Sequence, residues 1–208
     1  MRRLLLIFLS VGLLAFSADA PPTDGVFVLH MKIGDNIAYC TMFNYARNDE
    51  WVFALTAEHC LLAMKSPQVI DVQTKEVIAS NIHWFCDVDD LAIIGYKTER
   101  TVALVPTTVE IPPRNGHVWK IGVRKVTEKN WAYLISDGLW MNLPSLENKK
   151  TFLIKMYVAK GESGSPIFFG KKAFAIAVAG ASPFQPGEYE WTAVIPLYNL
   201  KDGCPKGE

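Results

Sequence analysis

The chain has 208 residues, half of them apolar, and its 21 basic and 21 acidic residues leave no net charge. Half-apolar composition excludes a disordered chain, and a balanced charge gives no electrostatic reason to expect nucleic acid or an anionic membrane as partner. The length is enough for one sizeable core or two small ones.

The amino terminus reads as an export signal. Arg2 and Arg3 precede an apolar run from Leu4 to Phe16, broken only by Ser10 and Gly12, and Ala18-Asp19-Ala20 supplies small residues at a cleavage spacing. The run is shorter than the roughly 20 residues a spanning helix needs. Residues 1–20 are therefore expected to be removed, leaving a soluble secreted or periplasmic protein with one more acidic than basic residue.

Short β-type runs follow in chain order. Gly25–Ile33, Asn36–Phe43, Trp51–Ala57, Gln68–Val72, Val77–Phe85 and Leu91–Tyr96 are rich in branched and aromatic residues, with turn formers such as Gly34-Asp35-Asn36 between them. Lys97 to Asn115, with Pro106, Pro112 and Pro113, reads as a linker. A second series follows: His117–Val126, Trp131–Ser136, Phe152–Val158, Pro166–Phe169, Ala173–Ala179 and Glu190–Ile195. Helical signal is confined to a turn or two at Glu58–Lys65 and a short terminal piece from Pro196 to Lys201. Two all-β units are expected, over residues 21–105 and 106–208.

Four cysteines, Cys40, Cys60, Cys86 and Cys204, all lie in the exported part. An even count there favours disulfides, with three connectivities open. His59-Cys60 and His83 to Cys86 offer ligand types for zinc, but no Cys-x-x-Cys pair exists, so no metal and no cofactor is expected.

Three segments carry chemistry: Thr56-Ala57-Glu58-His59-Cys60 at the end of an apolar strand, Asp90-Leu91-Ala92-Ile93 opening another, and Gly161-Glu162-Ser163-Gly164-Ser165-Pro166 in a glycine-rich turn. Singly, each is ordinary core or loop. Together they supply a hydroxyl nucleophile, an imidazole to take its proton, and a carboxylate to orient that imidazole. No histidine follows Ser163, which excludes the Ser-acid-His order of α/β-hydrolases. The Asp-His-Ser order belongs to a helix-rich fold, and His-Asp-Ser remains.

In that order the boxes resemble those of chymotrypsin-like (trypsin-superfamily) serine peptidases, and Ser-Gly-Ser-Pro resembles the bacterial glutamyl-endopeptidase-like branch. The resemblance implies two six-stranded antiparallel β-barrels with a cleft between them. It implies His59 as general base, Asp90 as its orienting acid in preference to Asp89 or Asp87, and Ser163 as nucleophile. The N–H groups of Gly161 and Ser163 would form the oxyanion hole. A Cys40–Cys60 disulfide is implied too, leaving Cys86 and Cys204 bridged or free. Counting along the family pattern places Tyr157 at the base of the primary pocket, Ala179 and Gly180 on one wall, Tyr189 near the other and Lys160 at the rim. With no acid at the base, uncharged side chains are expected there.

Two departures matter. The expected mature terminus has no Ile-Val-Gly-Gly start to be buried against the acid before the nucleophile, so Glu162 needs another partner. Val178 stands where many members carry a serine that supports the aspartate. The expected function is a monomeric endopeptidase acting on polypeptides, and the alternative is a catalytically weak homologue that serves as a binding module.

Overall fold

The computed structural model describes residues 21–33, 36–62, 65–127, 130–144, 150–181 and 189–200. The architecture is all-β. Strands β1 (Val26–Ile33), β2 (Asn36–Arg47), β3 (Val52–Ala57), β4 (Lys65–Asp71), β5 (Val77–Ala79), β6 (Ile82–Val88) and β7 (Leu91–Tyr96) form one curled sheet in the order β5-β4-β1-β2-β3-β7-β6. Strands β8 (Gly116–Thr127), β9 (Asn130–Pro144), β10 (Phe152–Val158), β11 (Pro166–Phe169), β12 (Lys172–Ala181) and β13 (Tyr189–Pro196) close as a six-stranded barrel in the order β10-β13-β12-β11-β8-β9. No described helix is long and apolar enough to cross a membrane. The expected signal peptide lies outside the described residues.

The first sheet has seven strands because the run expected as Val77–Phe85 is two strands, separated at Ser80-Asn81. Polar turn formers interrupt the ladder there, and Asn81 favours a bend. The segment expected as a linker is irregular but not loose. Val105 is fully buried and its N–H donates to the Asn44 carbonyl at 2.7 Å, while Ala173 N–H donates to the Pro106 carbonyl at 2.8 Å. Helix is reduced to 3₁₀ turns at Glu58–Cys60 and Leu197–Asn199.

Strands β3 and β7 are buried at every position. Their near-continuous apolar runs, Val-Phe-Ala-Leu-Thr-Ala and Leu-Ala-Ile-Ile-Gly-Tyr, suit strands covered on both faces. The faces of β8 divide differently. Val118 packs in the core of the closed barrel, whereas Ile121 and Val123 join the large core that continues into the first sheet.

Candidate active site

The register of β3 and β7 is what joins His59 to Asp90. The strands are antiparallel with Ala57 opposite Leu91, so the residues just after β3 and just before β7 must meet. His59 sits in the 3₁₀ turn closing β3, and Asp90 occupies the two-residue turn between β6 and β7. Asp89 and Asp90 have φ of 52° and 71°, and Val88 pairs with Leu91. Positive φ at both central residues is the type I′ hairpin turn, and aspartate tolerates it better than most residues. Glu58 N–H donates to the Asp90 carbonyl at 3.0 Å, and His59 N–H to Asp90 Oδ1 at 2.8 Å. His59 Nδ1 then lies 3.0 Å from Oδ1 and 2.8 Å from Oδ2.

That contact fixes the tautomer. An ionised carboxylate accepts only, so Nδ1 carries a proton and Nε2 presents its lone pair elsewhere. The hydrogen bond to Asp90 raises the His59 pKa, against a smaller opposing effect of partial burial.

Cys60 joins Cys40 of β2 in a disulfide with Cα atoms 6.3 Å apart, as the resemblance implied. Cys86 is disulfide-bonded as well, and Cys204 lies outside the described residues. The ligand-type atoms of Cys40, His59 and Cys60 lie within 4.8 Å of one another. Both sulfurs are spent in the disulfide, so neither is the thiolate a metal would bind.

Ser163 lies in the turn 159–165 between β10 and β11. The turn is docked on both sheets. Thr41 N–H of β2 donates to the Ser163 carbonyl at 2.8 Å, and Gly164 N–H donates to the Ala177 carbonyl of β12 at 2.7 Å. Gly164 has φ +86°, and a Cβ there would lie 2.1 Å from the Thr41 carbonyl oxygen. Gly161 has φ +93°, and its Cβ would lie 2.1 Å from the Tyr39 ring. Only glycine fits either position.

The turn uses its N–H groups unevenly. Those of Glu162, Gly164 and Ser165 go to the carbonyls of Ala159, Ala177 and Glu162. Those of Gly161 and Ser163 donate to no acceptor among the described residues. The Ser163 hydroxyl donates to the Val178 carbonyl at 3.3 Å, and no hydrogen bond joins it to His59. Such contacts are often loose until substrate arrives.

The expected pocket residues are dispersed around this turn. Tyr157 is 45% exposed on β10, and Lys160 is exposed with its carbonyl 3.5 Å from the Tyr39 hydroxyl. Ala179 is exposed and Gly180 half-buried on β12, opposite Ala193 and Thr192 of β13. Strand β11 pairs β12 only as far as Ile176, so among the described residues no strand pairs that edge of Val178 to Ala181, where the Val178 carbonyl accepts the Ser163 hydroxyl. Tyr189 opens β13 opposite Val158, but its side chain lies outside what the structure describes. Three residues escaped the sequence reading. Thr192 is buried and its hydroxyl donates to the Met156 carbonyl at 2.9 Å. Thr41 is buried behind Ser163. Lys120 is buried against Glu162, 2.9 Å away. Only Lys120 left a readable signal, as a lysine in phase with Val118 and Gly122 in an apolar strand.

One closed six-stranded barrel and one curled sheet, all β, make up the chymotrypsin-like two-barrel fold. Solved structures sharing the fold include "HtrA-type protease AlgW with tripeptide" (TM-score 0.65, 14% identity, 85% of this chain and 57% of that one). The serine endoprotease from Yersinia pestis matches at TM-score 0.63 and 14% identity, over 86% of this chain and 60% of that one. Rv3671c from M. tuberculosis H37Rv, in an inactive form, matches at 0.61 and 10% identity, over 84% and 82%. At these identities the likeness establishes the fold alone, and the chain spans well under two thirds of the first two. No family model and no curated protein matches the chain.

Proposed function

We propose that the protein is an exported, monomeric serine endopeptidase acting on polypeptides, with its His and Asp in residues 21–105 and its Ser in residues 106–208. The observation that carries this reading is the double contact of His59 Nδ1 with Asp90. It leaves Nε2 unprotonated and pointed away from the carboxylate, as a general base must be. Rotation of the Ser163 hydroxyl from Val178 toward that nitrogen lets His59 take its proton as Oγ attacks the scissile carbonyl. The carbonyl oxygen becomes an oxyanion, and the unspent N–H groups of Gly161 and Ser163 are the donors available to it. The imidazolium, held by Asp90, then protonates the leaving amine. Water completes the cycle by the same route in reverse. The edge at Val178–Ala181, which no strand pairs among the described residues, suits an extended peptide added as an antiparallel strand, and one of the fold's solved examples is named "with tripeptide".

The pocket reading follows from charge. Tyr157, Ala179, Gly180 and Tyr189 bring no anion, so a cationic side chain would be desolvated unpaired. Cleavage is expected after uncharged residues, with Lys160 giving at most a modest preference for acids at the rim. The Ser163-Gly164-Ser165-Pro166 box resembles the glutamyl-endopeptidase-like branch, but the sequence has no histidine after His117 to do that branch's recognition.

The test is fluorophosphonate labelling with a peptide-library cleavage profile of wild type and Ser163→Ala. Wild type should label at Ser163, and Ser163→Ala should lose amide hydrolysis by several orders of magnitude. A folded wild type that neither labels nor cleaves would leave the binding-module alternative. A profile dominated by Arg or Lys would overturn the pocket assignment.

A further inference from the structure

Beneath the Ser163 turn lies an ion pair that the chemistry above does not use. The side chains of Lys120 and Glu162 are both 0% exposed, with Nζ 2.9 Å from Oε2. Buried pairs of this kind seldom add stability over an apolar pair of equal volume, because desolvation offsets their attraction. Stability is therefore a poor reason for this one, and its other contacts suggest a better one.

Lys120 Nζ also donates to the Tyr157 carbonyl, and Glu162 Oε2 also accepts the Ala159 N–H. The pair thus ties together the end of β10, the start of the turn, and the residue between Gly161 and Ser163. The cation comes from β8, two strands from β10 around the closed barrel with β9 between them. Its neighbour two residues on, Gly122, makes the room: a Cβ there would lie 2.2 Å from Glu162 Oε1. Burial pushes the Glu162 carboxyl up and the Lys120 ammonium down, and each partner's charge opposes the other's neutralisation. Removing the cation would leave a carboxylate unpaired in the core. It would have to take up a proton or turn toward water, and turning the Glu162 side chain moves the peptide units on either side of it. The unit after Glu162 carries the free Ser163 N–H. The unit before it carries the Gly161 carbonyl and the Glu162 N–H, which donates to Ala159, and is joined through the Gly161 Cα to the unit bearing the free Gly161 N–H.

We propose that Lys120 is a positioning residue for the oxyanion hole: its buried pair with Glu162 sets the Gly161–Ser163 turn from inside the barrel. The two N–H groups are then organised in the chain as folded, with no newly cut amino terminus needed to supply the counter-charge. This rests on the serine-peptidase reading.

The experiment compares wild type with Lys120→Met and Gly122→Ala in the full exported chain, with folding checked by circular dichroism. Steady-state cleavage of a peptide substrate and the rate of fluorophosphonate labelling are both measured. Lys120→Met removes the charge at similar volume. Gly122→Ala keeps both charges but puts a methyl where the Glu162 carboxylate lies, and the three nearest atoms it meets all belong to that side chain. Folded Lys120→Met should lose about 10²- to 10³-fold in kcat, with KM within about threefold and labelling slowed in parallel. Gly122→Ala should move the same way by at least about tenfold. A purely structural pair would lower Tm and leave both rates alone. Rates within about threefold of wild type in folded Lys120→Met, or in Gly122→Ala where the first does not fold, overturn the role of Lys120. A wild type that neither cleaves nor labels overturns the serine-peptidase reading itself.

Discussion

His59 is 43% exposed and Asp90 35% exposed, yet the imidazole is held on two carboxylate oxygens and a shared backbone turn. Their hydrogen bond raises the His59 pKa above the ordinary value of 6.5. Two opposed pH dependences result. Under the proposed serine-peptidase function the general base is neutral His59, so kcat/KM should rise with pH through a midpoint above 6.5. The stabilisation from protonated His59 is fully present below the unfolded imidazole's pKa and is lost as pH rises through the folded one. Stability therefore falls across the window in which activity appears. Asp90→Asn should keep the turn, because asparagine tolerates positive φ, but should lower kcat by roughly 10⁴ through the wrong tautomer. Its pH midpoint should drop toward that of a free imidazole. A pH–rate profile of both proteins checks this, and an unshifted midpoint in the variant would remove Asp90 as the cause.

At the scale of elements, the His59 turn is held at both ends: by β3 through its register with β7, and by the Cys40–Cys60 bridge to β2. The bridge closes a loop of 20 residues, worth about 3 kcal/mol in the chain-entropy account. Replacing both cysteines with serine should cost about that much stability in urea unfolding, with the m-value rising as the unfolded chain loses its crosslink. It should also lower kcat, because the 3₁₀ turn loses its tether. The β6–β7 hairpin was harder to foresee. Val77–Phe85 reads as one apolar run, and ending it at Phe85 hid the fact that Asp89-Asp90 is itself the whole turn. The resemblance of Asp90-Leu91-Ala92-Ile93 pointed to Asp90 as the acid, but nothing local showed that a type I′ turn aims it. The reading of Lys97–Asn115 missed Val105 for a related reason: one apolar residue among prolines has no periodicity to reveal burial.

In the whole molecule, Thr41 fastens the two sheets at the site. Its N–H donates to the Ser163 carbonyl, its hydroxyl donates to the Gly161 carbonyl at 3.1 Å, and Val123 N–H donates to that hydroxyl at 3.1 Å. Thr56 adds a bond to the Thr41 carbonyl at 2.9 Å. Thr41→Val keeps shape but strands the buried Val123 amide, which alone should cost about 1–3 kcal/mol. The urea midpoint should fall accordingly, and kcat with it, since Gly161 loses a contact from behind. Unchanged stability would mean that water or a shift in β8 replaces the hydroxyl.

The sequence by itself determined the strand-rich class, and through its resemblance it pointed to the Cys40–Cys60 bridge and to the two residues, His59 and Asp90, that meet in the structure. These are legible because strand periodicity, turn residues and short boxes are local, and each box ends or begins an apolar run. Tertiary structure alone decided which buried groups support the boxes. Lys120, Thr41 and Thr192 come from strands far from Ser163 in the chain, and nothing adjacent to them announces a partner. A lysine in an alternating strand ordinarily points to water. In β8 both faces are covered, one by the closed barrel and one by the first sheet, so Lys120 is driven inward. Closure of the barrel then leaves Glu162 as the anion beside it.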